Sequence, residues 1–166
     1  MLPIVCGGLA ASSAGVVATL EAVQAGKAPS HVIRLAYGEE RPLERTIEIA
    51  VAGDGEVTAT TSALKPACRL GPGFTECWDR SVQTVRLSAD AHRKLVAAIP
   101  AQGLAALPRE DAVAPGAARV WVTVDAGAAG HLDVRCSLET ATRSAAFEHF
   151  RNEILGLVAK AGGRRS

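Results

Sequence analysis

Alternation with a period of two governs the middle of the chain. Ile47, Ile49 and Val51 alternate with Thr46, Glu48 and Ala50, then Gly53-Asp54-Gly55 follows, and Val57, Ala59 and Thr61 resume the pattern. Successive side chains of a strand point to opposite faces, so branched residues on one side and polar ones on the other define a half-buried strand. The glycines around Asp54 supply the positive φ angles of a tight hairpin. Glu48, Glu56, Thr46, Thr58 and Thr60 share the other side, which predicts an antiparallel sheet wet on that face.

The same reading extends along the chain. His31 to Tyr37 forms a first candidate strand on Val32, Ile33 and Leu35, and Val82 to Leu87 a fourth. Arg119 to Asp125 and His131 to Leu138 form two more, joined by a hairpin over Gly127 to Gly130. The cluster Glu39-Glu40-Arg41 with Leu43-Glu44-Arg45 reads as a polar turn. Ser88 is an N-cap for a helix whose Ala91, Leu95, Ala98 and Ile99 face the core; Asp90 in its first turn suits the helix dipole, and Pro100 ends it. Ala101 to Leu107 is a short helical turn. A closing helix over Thr142 to Ala161 places Phe147, Phe150, Ile154, Leu157 and Val158 on one stripe. Strands followed by helices without a βαβ rhythm predict an α+β fold, an antiparallel sheet of about five to six strands with two helices packed on one face. With 166 residues the chain can bury a core without staples, and residues 26–166 read as a single α+β domain.

Residues 1–25 stand apart. Leu2 to Leu20 holds no charged side chain, and Val23 and Ala25 fit the small-residue pattern of a signal-peptidase site. The segment therefore reads as a signal peptide cleaved after Ala25 and left out of the core, with an N-terminal helix over Ala14 to Gln24 as the alternative. Glycines and serines make the run too weak for a span of ~20 apolar residues, so no stable membrane insertion is expected after processing. The domain is then extracytoplasmic, periplasmic or secreted.

That compartment bears on the cysteines. Cys68 and Cys77 bracket a segment with Gly71, Pro72 and Gly73, flexible enough to meet disulfide geometry where such bonds persist. A Cys68 to Cys77 bridge is expected, adding about 2 to 3 kcal/mol by chain entropy. Cys136 shares a strand face with Leu132 and Val134 and reads as a buried free thiol. The bridge would tether a loop presenting Arg69, Leu70 and Phe74, with Trp78 just beyond, although both rings could equally fold back to cap the core. Aromatics make up only 4% of the chain, so two large rings in its least regular part mark a candidate binding loop.

Other chemistries find little support. The formal net charge is +1, against the basic stripe of a nucleic-acid binder, so no nucleic-acid partner is expected. Gly71 to Gly73 lacks the lysine and hydroxyl of a phosphate loop, and no serine sits in a nucleophile elbow, so neither cofactor nor catalytic residue is expected. Cys68 and Cys77 lack the paired spacing of structural zinc, and no metal is expected. His131 and Asp133 point to one side of a strand and make a bidentate corner geometrically possible; a solvated face with Arg135 as charge partner is the ordinary explanation.

The succession of strands, then Leu87-Ser88-Ala89-Asp90 opening a helix through Leu95 and Ile99, then Leu104 and Leu107, two strands and a closing helix, resembles the small bacterial emfourin-type protease inhibitors and related exported domains. The resemblance spans about residues 31 to 161. It implies a non-catalytic protein that blocks or senses an extracytoplasmic enzyme, with a protein as its partner. Those inhibitors lack a counterpart of the Cys68 to Cys77 insertion, and no functional residue is carried over. Two alternatives stand beside it: a small hydrolase-like or metal-dependent enzyme built from scattered residues such as His131 and Asp133, and an envelope component that associates through its sheet edge.

Overall fold

The computed structural model describes residues 10–65, 77–107 and 114–162 of the chain. Its strands are β1 (Arg34–Arg41), β2 (Arg45–Val51), β3 (Glu56–Leu64), β4 (Trp78–Arg86), β5 (Arg119–Asp125) and β6 (His131–Ser137). They form one six-stranded sheet in the order β4-β3-β2-β1-β5-β6, every neighbouring pair antiparallel. The helices are α1 (Ala10–Gln24), α2 (Ala89–Ala97), α3 (Ala101–Ala106), α4 (Leu138–Thr142) and α5 (Ala145–Gly162). The fold is α+β, as the alternating strands and stripe-bearing helices predict.

Tight turns set most of this order. Gly55 takes a φ of 89° between β2 and β3, and Asp54 closes the turn by accepting from the Glu56 N–H at 3.0 Å. The β5–β6 hairpin turns on Gly127 and Gly130, both at positive φ, with Asp125 accepting from the Gly127 N–H at 2.8 Å. Between β4 and β5 the chain passes through α2 and α3 to the far side of β1. Ser88 starts α2 as its composition predicts, its Oγ accepting from the Ala91 N–H at 3.1 Å.

All the inward branched residues of the sheet face the helices. Leu35, Tyr37, Ile49, Val51, Val57, Val120, Val122, Val124, Leu132, Val134 and Cys136 are buried on that face. Phe147, Phe150 and Ile154 of α5 pack on them, with Tyr37 and Phe150 edge to face at 6.0 Å between ring centroids. Leu157 and Val158 of the predicted stripe are only half-buried.

The N-terminal segment takes the form of the helical alternative: α1 buries Val16, Leu20 and Val23, at most 3% exposed, against β6, α2 and α3. These three recur at helical spacing on one face, so an apolar run that satisfies a leader's composition also satisfies a core helix. Gln24 fixes the junction by donating from Nε2 to the carbonyl oxygens of Ala97 at 3.1 Å and Ile99 at 3.4 Å.

Five boundaries also move. The first strand begins at Arg34 rather than His31, because Ser30–Val32 forms a 3₁₀ turn closed by Ile33 N–H on the Ser30 carbonyl. It then runs through Glu39-Glu40-Arg41, expected to be a polar turn, since Glu39 finds a cationic partner inside; the turn itself is Pro42 to Glu44. β4 begins at Trp78 rather than Val82, because β3 extends to Leu64 and pairs with it along its whole length. β6 ends at Ser137, whose Oγ accepts from the Thr140 N–H to start α4, and the closing helix begins at Ala145 rather than Thr142. In α2 the buried residues are His92, Leu95 and Val96, while Ala91 and Ala98 are half-buried.

Candidate functional site

The alternation that builds the core leaves the opposite face of the sheet without a helix among the described residues. Across its middle the register aligns Val82, Thr60, Glu48, Gly38, Trp121 and Arg135. One row over lie Arg80, Ser62, Thr46, Glu40, Arg119 and Ser137. This face is mostly hydroxyls and charges, as its composition predicts. It also carries both tryptophans, whereas Tyr37, Phe147 and Phe150 are in the core.

Each tryptophan has a structural reason to be there. Trp121 alternates with the buried Val120 and Val122 and must point outward. Its indole lies over Gly38 so closely that a Cβ on that glycine would sit 1.9 Å from the ring. The missing side chain is what lets the ring lie down on β1. Trp78 opens β4 opposite Leu64, on the same side as Val82.

Beside Trp78 the face sinks into a trough of about 620 Å³. Thr46, Glu48, Thr60 and Ser62 line it, with Glu40, Arg80 and Trp78, and the β1–β2 turn bounds it through Arg41, Pro42 and Leu43. Leu43 is 56% exposed and has a φ of 60°, a left-handed conformation that disfavours a branched side chain. Arg41 Nε is buried beside the trough with no hydrogen-bond partner among the described residues. The walls thus offer one aromatic face, two carboxylates and two guanidinium groups, a mixture suited to polypeptide rather than to an apolar small molecule. A second hollow of about 890 Å³ lies at the other end of the same face, between Arg34, Asp54, Glu56 and Asp125.

On the helical side, Arg151 of α5 donates to Glu39 of β1 from Nε and Nη2, and from Nη1 to Glu148 at 3.2 Å. Burial first, and the Glu39 charge second, raise the Tyr37 phenol far above its ordinary range and hold it protonated. The group ties α5 to the sheet.

The residues singled out by sequence divide sharply. Cys68, Arg69, Leu70 and Phe74 lie outside the described residues, and the expected Cys68 to Cys77 bridge with them; no bridge joins two described residues. Trp78 belongs to β4 rather than to a loop, and Cys136 is a buried free thiol as expected. His131 and Asp133 lie on the outer side of β6, and Asp133 faces Arg135 at 3.6 Å. Among the described residues no three His, Cys, Asp or Glu side chains converge as a metal would need, and no helix is long and apolar enough to cross a membrane. Sequence reasoning missed the trough, and Trp121 in particular, although its place between two inward valines was readable.

No protein-family model matches the chain, and comparison with curated proteins finds no match.

Proposed function

We propose that this chain is a non-catalytic protein-binding domain that holds its partner on the outer face of the sheet, at the trough beside Trp78. The carrying observation is the sorting of the aromatic residues. Three described rings complete the core, while both tryptophans stand on the face that no described helix covers. Tryptophan and arginine dominate the energetic centres of protein interfaces, because a large ring desolvates well and loses little rotamer freedom. Trp121, laid on Gly38, is a fixed platform, and Trp78 with Arg41, Arg80, Glu40 and Glu48 gives charged groups of both signs around it. The resemblance of the strand and helix succession to emfourin-type inhibitors favours an enzyme, such as an extracytoplasmic protease, as the partner class in this reading.

Capture from an extracytoplasmic fraction tests the reading, with the full chain as bait. Trp78→Ala and Glu48→Arg are expected to weaken capture by about tenfold with unchanged melting temperature. The reading fails if no protein is captured, or if both variants capture as the parent does.

A further inference from the structure

Beyond that face, the edge of the sheet has a chemistry of its own. Main-chain bonds just outside β4 run from Lys65 N–H to the Cys77 carbonyl at 2.7 Å and from Leu87 N–H to the Gly55 carbonyl at 2.8 Å. An antiparallel ladder alternates, so the odd-numbered residues of β4 turn their N–H and C=O groups toward β3. Arg80, Val82, Thr84 and Arg86 therefore aim theirs outward, away from the sheet. Nine paired residues without a bulge keep this edge straight, and Ser81 to Val85 carries no charge and no proline. At its centre Val82 is 51% exposed. The opposite edge differs at its middle, where β6 sets Asp133 and Arg135 outward in place of Val82 and Thr84, charges of the kind that blunt an edge.

We infer that β4 pairs with β4 of a second copy of this chain, antiparallel about a twofold axis at Val82, joining two sheets into one. The sequence of the strand is complementary to itself in this register. Val82 meets its counterpart, and Arg80 lies opposite Thr84, so each outward N–H and C=O along Arg80 to Thr84 gains a partner. Ser81 faces Gln83 as a non-hydrogen-bonded pair, the closer kind for side chains. Gln83 Oε1 is buried with no hydrogen-bond partner among the described residues, and the Ser81 hydroxyl of the second copy is a donor on its side of the sheet. Arg86 comes beside Trp78 of the second copy, a cation–π pairing. Centring the axis on Gln83 instead would set Arg80 against Arg86, like charges across the seam.

Sedimentation equilibrium of the full chain tests this directly. The weight-average mass is expected to rise toward twofold with concentration. Val82→Pro removes an outward N–H that β3 does not use, a substitution an edge strand accepts, and it is expected to hold the mass at one chain with melting unchanged. Val82→Lys, which leaves the backbone intact, is expected to do the same. Asp133→Pro makes the equivalent change on the β6 edge and is expected to leave the doubling intact. A parent chain that stays at one-chain mass throughout, doubling that survives both Val82 variants, or doubling abolished by Asp133→Pro would overturn the inference. Trp78 and Arg80 belong both to this seam and to the trough, so mass and partner capture are read as separate measurements on each variant.

Discussion

Arg151 Nη2 lies 2.8 Å from Glu39 Oε1, joining the closing helix to the central strand through side chains 14% and 4% exposed. Losing one member of such a pair leaves a charge without its partner in a dry place. Arg151→Ala is therefore expected to cost about 3 to 5 kcal/mol, whereas Glu39→Met with Arg151→Met recovers most of the loss. Urea unfolding of the parent and the two variants checks both halves.

The N-terminal helix makes a second test. Burial of Val16, Leu20 and Val23 is worth roughly 5 to 9 kcal/mol before the ordering of α1 is counted. A chain beginning at Gly26 is expected to lose cooperative melting, followed by circular dichroism. Gly15 marks a close approach of α1 to the β5–β6 hairpin, where a Cβ would lie 2.0 Å from the Ala129 carbonyl oxygen. Gly15→Ala should thus lower the melting temperature, although alanine is the better helix former.

At the centre of the outer face, Gly38→Ala is expected to lift the Trp121 ring from β1. The measurement is tryptophan emission, which should shift toward that of a solvated indole. Combining it with Trp121→Ala should relieve the clash and return stability to that of Trp121→Ala alone.

His92 gives a pH dependence with a definite sign. Burial holds its imidazole below the ordinary value near 6.5, outweighing the favourable influence of the Ala52 backbone and Asp54. Above about pH 6.5 both the folded and the unfolded chain keep it neutral, and the full stability is present. As pH falls through that value the unfolded chain takes up a proton that the folded chain refuses, so stability declines until the depressed folded value is reached. Melting curves from about pH 7 to pH 5 should show this slope in the parent and a flatter one in His92→Gln.

The hairpins, the inward valines and the cap at Ser88 were legible in the sequence because each depends on neighbours a few residues away. Glu39 was not, because its partner is Arg151, far along the chain; alone, a Glu-Glu-Arg run has the composition of a solvated turn. Val16, Leu20 and Val23 met the same ambiguity from the apolar side, since composition does not separate a leader from a core helix. The site divides likewise. Trp78 was singled out for its size, but the trough beside it is assembled from four strands and a turn, and only the register between them brings Glu48, Thr60 and Arg80 together.

Among the described residues no helix covers the outer face of the sheet, and this separates two duties along its strands. Along β2 and β6 every second residue answers to the hydrophobic core and the one between answers to water or a guest. Two texts are interleaved on the same strands, and the outer one can be rewritten, charge for charge, while the inner one goes on specifying the fold.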